Sequence, residues 1–311
     1  MAIDVVVIGS LNMDLVANVP RYPQAGETLR GSRFRLFPGG KGANQAVAAA
    51  RLGASVAMVG RVGDDPFGPA VRDSLRSSGV DTTHVQTDPA AATGVGIIAV
   101  DPAGQNHIII VSGANDRVDE EDLRGAADLL AGARLLLLQF EIPMPIIEQA
   151  ARQAHESGIL VFLNPAPSAP CPPDLLSLVD CIVPNELEAQ AFTGVTITDV
   201  ATAERAAERL LELGIPRAII TLGERGCVCA SQEGVWHEPA LAVKAVDTTA
   251  AGDAFIGGLA AAWVRGKPMR EAVRFATCAA GLSVTRAGAQ ASLPDESEVR
   301  AAYQTACGSD P

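Results

Sequence analysis

The stretch Asp247-Thr248-Thr249-Ala250-Ala251-Gly252-Asp253 joins an extended run, Ala240 to Val246, to an apolar run of small residues, Ala254 to Val264, that predicts a helix. Small residues and a glycine leave successive backbone N–H groups uncovered at this junction. N–H groups at a helix start lack intrahelical partners and carry a partial positive charge. The junction therefore predicts a site for an anion such as a phosphate.

Asp253 is the unusual member of this stretch, because a carboxylate repels a phosphate bound at the same turn. A role that explains its presence is to accept the proton of a hydroxyl group as that hydroxyl attacks a phosphorus atom. The alternative interpretation is that Asp253 only begins the helix, where Asp is a favoured residue. A second glycine motif favours the catalytic interpretation.

That motif is Pro38-Gly39-Gly40-Lys41-Gly42-Ala43-Asn44-Gln45, followed by a predicted helix at Ala46–Arg51. It lacks the P-loop pattern, and the dinucleotide fingerprint fails at Gln45. Its glycines allow a ligand to approach the backbone closely, and Lys41 and Asn44 supply side-chain donors. A glycine-rich turn with a solvated lysine is the alternative, but two glycine-opened helices together favour a ligand-binding cleft.

The composition limits the class of protein. The chain has 311 residues, 48% of them apolar, and a net charge of −12 from 24 basic and 36 acidic residues. Strand-like and helix-like segments alternate along its length, which predicts one large α/β unit. The acidic balance argues against general nucleic-acid binding. We expect six reduced thiols in a cytoplasmic protein, at Cys171, Cys181, Cys227, Cys229, Cys278 and Cys307.

The beginning of the sequence and its apolar runs predict no membrane association. Residues Ile3 to Ile8 read as a first buried strand rather than a signal peptide, since no basic segment precedes them. No apolar run approaches the length that spans a bilayer. We therefore expect neither a membrane nor a nucleic acid among the partners.

Polar residues follow two predicted strands at their carboxyl ends. Asn12 and Asp14 come after the strand Val5–Ile8, and Glu141 comes after the strand Leu135–Phe140. Open α/β sheets bind ligands at this edge, so these side chains are candidates for binding a polyol. For Asn12 and Asp14 an Asx turn is an equally good interpretation.

Two later motifs have both a binding and a structural interpretation. The spacing of Asn185 and Glu188 puts both side chains on one helical turn, which suits hydrated Mg²⁺ but also a helix capping box. Taken alone, the capping interpretation is the better one. Thr221, Gly223 and Gly226 follow a predicted strand, where they could contact nucleotide phosphates or form a simple β-turn.

Two predicted hairpins lie outside the main sheet. One pairs Leu15–Val19 with Thr28–Leu36, and the other pairs Thr93–Val100 with His107–Ser112. Together they could form a small sheet that closes over the cleft and excludes water.

The motifs occur in an order that resembles the PfkB family of carbohydrate kinases, in its ribokinase-like branch, over nearly the whole chain. Between the two glycine motifs lie Asn164-Pro165-Ala166-Pro167, Pro184-Asn185-Glu186 and Ile220-Thr221-Leu222-Gly223. The resemblance implies a ribokinase-like three-layer αβα fold with a mostly parallel central sheet. It also implies a single domain over residues 1–311, a small β-sheet lid from about residues 13–37 and 93–112, and a homodimer formed through the lids.

The same resemblance implies ATP-dependent phosphorylation of the 5-hydroxyl of ribose, with Mg²⁺ and K⁺. Asp253 matches the catalytic base, and Ala250, Ala251 and Gly252 match the anion hole. Sugar-binding positions are Asn12, Asp14, Gly40, Lys41, Asn44, Glu141 and Asp253. Nucleotide positions are Asn185, Thr221, Gly223, Glu224, Gly226, Gly252 and Thr277. The monovalent cation would lie among Asp247, Thr249, Ser283, Arg286, Gly288 and Ser292, and several of these would bind it through carbonyl groups. Glu188 would hold Mg²⁺ through water.

One position departs from the family pattern, and several alternatives stay open. Thr277 stands where a larger polar residue often lies near the adenine. Another kinase of this fold, acting on deoxyribose, fructose or a nucleoside, is the first alternative. A non-catalytic sugar- or nucleotide-binding regulator is the second, and the intact Gly252 and Asp253 argue against it. A nicotinamide oxidoreductase is a distant third, since the dinucleotide fingerprint is missing.

Overall fold

The computed structural model describes residues 2–102 and 104–307. Its strands form a large sheet and a small one. In chain order the strands are β1 (Val5–Ile8), β2 (Asn12–Asn18), β3 (Arg33–Gly39), β4 (Val56–Gly63), β5 (Asp81–Asp88), β6 (Gly94–Val100), β7 (Asn106–Val111), β8 (Leu135–Gln139), β9 (Leu160–Asn164), β10 (Cys181–Ile182), β11 (Arg217–Thr221), β12 (Cys227–Ser231) and β13 (Gly234–Glu238).

Helices cover both faces of the large sheet. They are α1 (Lys41–Arg51), α2 (Phe67–Ser77), α3 (Glu120–Gly125), α4 (Ala127–Ala131), α5 (Met144–Glu156), α6 (Pro173–Leu176), α7 (Glu186–Thr193), α8 (Val200–Glu212), α9 (Ala251–Val264), α10 (Met269–Ser283) and α11 (Glu296–Cys307). Short 3-10 turns lie at Gly113–Arg117 and Gly223–Arg225. In the part of the chain that the structure describes, no helix is both long enough and apolar enough to cross a membrane.

The large sheet is mostly parallel, as predicted. Its order is β13-β12-β11-β10-β9-β8-β1-β4-β5, and only β12 and β13, at one edge, run antiparallel to their neighbours. All four residues of β1 are buried, and so are all five of β8. Central strands of a parallel sheet are covered on both faces, which explains why they read as continuous apolar runs.

Two separate apolar cores confirm the three-layer arrangement. Val5 and Val7 of β1 pack into a core with α1, α2, α9, α10 and α11. Val6 and Ile8 pack into a second core with α3 to α8. Successive side chains of a strand point to opposite faces, so the sheet forms the middle layer between two layers of helices.

Helices α1 and α9 approach each other closely because their facing residues are small. A Cβ atom added to Gly257 of α9 would collide with the Cβ atom of Ala48 and would lie 2.7 Å from the backbone nitrogen of Ala49. Gly258 allows a similarly close approach of α9 to α10, since a Cβ atom added to it would lie 3.1 Å from Ala276 Cα. Because α1 and α9 each begin at a glycine motif, this packing brings the two motifs together.

The two predicted hairpins form the small sheet, with the strand order β3-β2-β6-β7. Each hairpin pairs antiparallel, and β2 joins β6 in parallel. The strands cover residues 12–18, 33–39, 94–100 and 106–111, within one or two residues of the predicted lid boundaries at the outer ends. That this sheet closes over a ligand stays a prediction.

Some element boundaries differ from the predictions. Helix α1 begins at Lys41 and not Ala46, and α9 begins at Ala251 and not Ala254, so the glycine motifs supply the first helical turns. The stretch Asn115 to Ala133 begins polar and then becomes periodic, a pattern that predicts a helix; the structure instead has a 3-10 turn, α3 and α4 there. The Asp119 side chain accepts bonds from the N–H groups of Glu121 and Asp122, which starts a new helix there.

Candidate active site

Asp253 lies where the starts of α1 and α9 meet. Its side chain is buried, with 6% of the residue exposed. Asn44 Nδ2 donates to Asp253 Oδ2 at 3.0 Å, and Gln45 Nε2 donates to Asp253 Oδ1 at 3.1 Å. The two glycine motifs, more than 200 residues apart in the chain, therefore share one hydrogen-bonded carboxylate.

The surroundings of Asp253 set its proton affinity through opposing effects. Burial raises the pKa of the carboxyl group, whereas the positive charge of Lys41 and the bonds from Asn44 and Gln45 lower it; the pKa is raised on balance. Burial alone would lower the pKa of Lys41, but the carboxylates of Asp253, Glu141 and Glu188 raise it. A charged lysine therefore faces the candidate base.

The turn before α9 has an uncommon backbone conformation. Ala250 has φ of 59°, and it is the one non-glycine residue with positive φ among residues 2–102 and 104–307. The N–H group of Ala251 donates to Thr248 O at 3.2 Å, while those of Gly252 and Asp253 have no partner within the described part of the chain. These free donors and the positive end of the helix dipole suit a bound anion.

Gly252 faces open space. A Cβ atom added there would meet no atom within 4 Å, and its φ is not in the left-handed region. The protein backbone therefore tolerates a side chain at this position, and only a bound ligand would require glycine here.

Glu141 links the start of α1 to the end of β1, on the side expected to bind the sugar. Its Oε2 atom accepts a bond from Ser10 Oγ at 2.5 Å and another from the N–H group of Lys41 at 3.1 Å. Gly40 precedes this N–H group with φ of 92°, in the left-handed region that favours glycine. Glu141 thus holds the turn that carries Lys41.

Asp14 of β2 projects between two glycines of neighbouring strands. A Cβ atom on Gly96 of β6 would lie 2.6 Å from Asp14 Oδ1, and a Cβ atom on Gly39 of β3 would collide with Oδ2. Burial, with the nearby negative charges of Glu141 and Asp253, raises the pKa of Asp14 to about 7. Its carboxyl group therefore takes up a proton in the absence of ligand at neutral pH more readily than an exposed one.

Asn115 is a residue of this site that the sequence did not reveal. Its Nδ2 atom donates to Asn12 Oδ1 at 2.7 Å, and its Oδ1 atom accepts from the N–H group of Leu11 at 2.9 Å. Asn12 is buried, with 2% of the residue exposed. Because Asn115 lies 103 residues from Asn12 in a polar stretch without a motif, the sequence contains no signal for this contact.

On the other side of the cleft, Asn185 and Glu188 form the capping box that the sequence allowed. Asn185 Oδ1 accepts from the N–H group of Glu188 at 2.9 Å, and Glu188 Oε2 accepts from that of Asn185 at 2.8 Å. Burial and the charge of Asp253 raise the pKa of Glu188, against the bond from Asn185 and the charge of Lys41. Glu188 is therefore both a capping residue and part of the charged cluster, and its carboxylate oxygens are of the type that binds Mg²⁺.

The predicted nucleotide positions line the strand ends next to Asn185. Thr221 pairs with Asn185 in an isolated bridge, and its N–H group donates to Pro184 O at 3.0 Å. Gly223 and Gly226 have φ of 59° and 86°, and Glu224 between them is exposed. The turn after β11 is therefore glycine-dependent and open to solvent.

Thr277, the position that departs from the family pattern, is buried in α10. Its hydroxyl group donates to Val273 O at 2.9 Å, within its own helix. The hydroxyl proton is therefore engaged, which leaves only acceptor capacity and the methyl group for a base.

Two segments that could hold a monovalent cation adjoin each other. Asp247 accepts from the N–H groups of Thr249 at 2.9 Å and of Gly288 at 2.8 Å. Burial raises the pKa of Asp247, but these bonds and the Thr249 hydroxyl lower it on balance. The hydroxyl groups of Ser283 and Ser292 donate to carbonyl groups at 2.8 Å.

Oxygen atoms of these kinds suit a hard cation such as K⁺. The side chain of Arg286 forms an ion pair with Glu298, so only its backbone carbonyl group is available as a ligand. The predicted cation residues thus fit the ion through one carboxylate, hydroxyl groups and carbonyl groups.

A cavity of about 340 Å³ lies between the small sheet and these segments. Its lining includes Asp14, Arg35 and Phe37 of the small sheet, together with Asp247, Thr249 and Gly288. This volume lies in the range of small-molecule pockets. The small sheet therefore covers a cavity that Asp14 and the two segments of the predicted cation site also line.

Comparisons with known proteins agree with this geometry. The family model of the pfkB family carbohydrate kinases matches residues 2–296. A ribokinase of Haemophilus influenzae is 42% identical over 292 residues, which cover 94% of this chain and 95% of that protein. A deoxyribokinase of Salmonella typhi is 38% identical over 292 residues, with the same coverage.

Solved structures show the same fold. The structure of Arabidopsis thaliana ribokinase complexed with ribose and ATP superposes with a TM-score of 0.90 at 33% identity, and it covers 98% of this chain and 99% of that chain. The fold and the site define a phosphotransferase that acts on an alcohol group. The chain belongs to the PfkB family of carbohydrate kinases, and it is an ATP-dependent sugar kinase.

The raised pKa of Asp14 predicts how the stability of the ligand-free enzyme depends on pH. The folded state binds this proton more tightly than the unfolded state, so stability falls as pH rises from about 4 through about 7. We expect Asp14→Asn to lack this loss, so that its free energy of unfolding rises relative to the wild type by roughly 4 kcal/mol between pH 4 and pH 8, at about 1.4 kcal/mol per pKa unit. Urea unfolding across this range measures the difference. Exposed Asp64→Asn is the control, and parallel curves for wild type and Asp14→Asn would contradict the expectation.

The open space at Gly252 predicts a defect in catalysis without a defect in folding. In Gly252→Ala the added methyl group meets no protein atom, and alanine favours the helix by up to about 1 kcal/mol. We expect unchanged or slightly higher stability, with kcat/KM for ATP lower by roughly tenfold or more because the methyl group enters the anion turn. Initial rates and thermal unfolding test this. Gly125→Ala, another helical glycine facing open space, should show the same small effect on stability and leave kcat/KM unchanged, and full activity of Gly252→Ala would refute the assignment.

Proposed function

We propose that this enzyme transfers the γ-phosphoryl group of ATP to the 5-hydroxyl of D-ribose and forms ribose 5-phosphate. One observation carries the proposal: a buried carboxylate, Asp253, lies in the first turn of the helix whose free N–H groups form the anion turn. A base and a phosphate site at one helix start suit in-line transfer to a hydroxyl group.

The residues around Asp253 supply polar contacts for a polyol. Asn12, Asp14 and Glu141 offer acceptors, and Lys41 and Asn44 offer donors, all along one side of the cleft. In this arrangement they fix the sugar so that a single hydroxyl group faces Asp253, and alignment of the reacting groups supplies much of the rate.

Proton transfer needs Asp253 in its ionised form. Burial raises its pKa toward that of a stronger base, while the charge of Lys41 and two amide donors keep the ionised form accessible. A carboxylate remains a weak base for an alcohol, but the transition state of phosphoryl transfer is loose, and the proton leaves late. Lys41 also places a positive charge beside the site of the transferred group.

Cations complete the proposed site. Glu188, with Asn185, would hold Mg²⁺ through water, and this ion neutralises charge on the phosphates of the nucleotide. Asp247, Thr249 and the carbonyl groups of the segment 283–292 would hold K⁺, which supplies positive charge behind the anion turn. In the proposed anion hole of Ala250, Ala251 and Gly252, the free N–H group of Gly252 would donate to the transferred phosphoryl group, and the N–H group of Ala251 would exchange its bond to Thr248 O for one to that group.

The second candidate is phosphorylation of 2-deoxyribose. The Salmonella typhi deoxyribokinase, at 38% identity, is nearly as similar to this chain as the Haemophilus influenzae ribokinase at 42%. Identity of this order does not separate the two sugars, so a direct comparison of substrates must decide.

The decisive experiment is a coupled assay of ADP release over ribose, 2-deoxyribose, fructose and nucleosides, with and without K⁺. We expect the highest kcat/KM with ribose, and a higher rate with K⁺. Asp253→Asn should lose roughly 10²–10⁴-fold in kcat while it still binds ribose in calorimetry. A near-normal rate for Asp253→Asn would exclude its role as base, and a preference for 2-deoxyribose would replace ribose in the proposal.

We also propose that two copies of this chain associate through their small sheets. One face of this sheet lines the cleft, and the opposite face exposes a row of apolar side chains. Cross-strand neighbours on that face are Leu36, Leu15, Ile97 and Ile109. Three of them are 46–51% exposed, namely Leu36, Ile97 and Ile109. Contiguous exposed apolar surface of this kind marks an interaction site, and two twisted sheets can pack face to face.

The dimer proposal predicts that a charge on this face separates the copies. We expect the wild type to sediment as a dimer at micromolar concentration and Ile97→Glu to sediment as a monomer, because an unpaired carboxylate is costly in an apolar interface. Sedimentation velocity measures both species. Leu213→Glu alters an apolar residue of similar exposure, 45%, outside the small sheet, and should remain dimeric. A monomeric wild type would refute the proposal.

A further inference from the structure

Three buried amide side chains, those of Gln45, Gln139 and Asn164, are linked by hydrogen bonds next to the Oδ1 atom of Asp253, whereas Asn44 bonds its Oδ2 atom. Gln45 and Gln139 are fully buried, and Asn164 is 8% exposed. They come from α1, β8 and β9, and none of them is among the residues assigned above to a substrate, nucleotide or cation. A buried amide without hydrogen bonds is costly, so their mutual contacts show what they do.

The amides form a directed chain of hydrogen bonds that ends on the carboxylate. Gln139 Nε2 donates to Gln45 Oε1 at 2.7 Å. Gln45 Nε2 donates both to Asp253 Oδ1 and to Asn164 Oδ1, at 3.1 Å each. Asn164 Nδ2 donates in turn to Val183 O at 2.9 Å.

These bonds fix which end of the Gln45 amide faces Asp253. Because the Gln45 oxygen accepts from Gln139, its nitrogen must point to the carboxylate, and a rotated amide would lose every one of its contacts. The Gln139 amide packs against Gly9, where a Cβ atom would collide with Gln139 Oε1. Asn164 fixes the other end, because its nitrogen donates to Val183 O and leaves its oxygen to accept from Gln45. The donor directed at Asp253 therefore has its orientation set by Asn164 of β9 and Gln139 of β8, elements of the central sheet, although the Gln139 oxygen itself has no partner among the described residues.

We propose that Gln45, oriented by Gln139 and Asn164, is the positioning residue of the catalytic base. Asn44 holds Oδ2 from the sugar side, and Gln45 holds Oδ1 from the protein side, so the plane of the carboxylate is fixed before a substrate binds. Gln45 acts only through Asp253, and the inference rests on the proposed role of Asp253 as base.

The charges that face Asp253 come from four places in the fold: Lys41 of α1, Asp14 of β2, Glu141 after β8 and Glu188 of α7. Three carboxyl groups against one lysine disfavour ionisation of a buried aspartate. A donor to the charged form favours ionisation, so loss of Gln45 leaves Asp253 harder to ionise as well as less fixed.

The test variant is Gln45→Met, which keeps length and volume but cannot donate. We expect kcat for ribose to fall roughly 10–100-fold, while KM for ribose changes less than about threefold. The acidic limb of the kcat–pH profile should move up by about one pH unit, which corresponds to the loss of one charge-assisted hydrogen bond. Gln139→Met leaves Asp253 untouched and frees the Gln45 amide to rotate, so it should move the limb in the same direction by less. It also replaces Gln45→Met if that variant does not fold.

Thr82→Val is the control for the cost of losing a buried polar group elsewhere, since Thr82 lies on the edge strand β5 and its Oγ1 accepts from Arg76 of α2. It should lower stability without moving the pH limb. Folded glutamine variants with an unchanged limb, or with KM raised as much as kcat is lowered, would overturn the inference even if Asp253→Asn is inactive. Turnover by Asp253→Asn at the wild-type rate would instead overturn the proposed base, and with it the positioning role of Gln45.

Discussion

The site depends on the close approach of α1 and α9. Each helix begins with a glycine motif, and each motif alone is an ordinary turn. Because Gly257 faces Ala48 without a side chain between them, the two helix starts come near enough for Asn44 and Gln45 to bond Asp253. A larger residue at this contact would force the helices apart, and Asp253 would lose its donors. The small residues of α9 therefore set the geometry around the proposed base as well as the packing of the core.

This geometry concentrates negative charge. A single lysine, Lys41, lies among four acidic side chains: Asp14, Glu141, Glu188 and Asp253. The net charge of the chain is already −12. A nucleotide adds further negative charge to the same cleft. Electrostatic repulsion would therefore oppose binding of a nucleotide without cations, and the anion turn alone does not offset this repulsion. Electrostatics thus favours bound cations in this cleft, the role proposed for Mg²⁺ and K⁺. Burial first, and then the charges of Glu141 and Asp253, raise the pKa of Asp14 to about 7.

The sequence predicted the features that are local in the chain. Continuous apolar runs such as Leu135–Phe140 predicted the buried strands, and the glycine motifs predicted the two helix starts that meet at Asp253. Helix starts at Lys41 and Ala251 were missed because glycine-rich motifs resemble loops. The contacts of Asn115 with Asn12 and of Gln139 with Gln45 span 103 and 94 residues. Such pairs are set by the order of strands in the sheet, which periodicity and spacing do not specify.

Ala250 adds a structural reason to regard the turn before α9 as functional. Its φ of 59° costs an L-residue with a Cβ atom roughly 1–2 kcal/mol, and glycine would adopt it freely. Strained conformations of this kind persist where the surrounding structure imposes them, and they concentrate at ligand sites. Beyond the Ala251 N–H group, which donates to Thr248 O, the N–H groups of Gly252 and Asp253 stay free of protein partners among the described residues. A turn without this strain would direct these donors elsewhere, and the start of α9 would present Asp253 without the anion site proposed beside it.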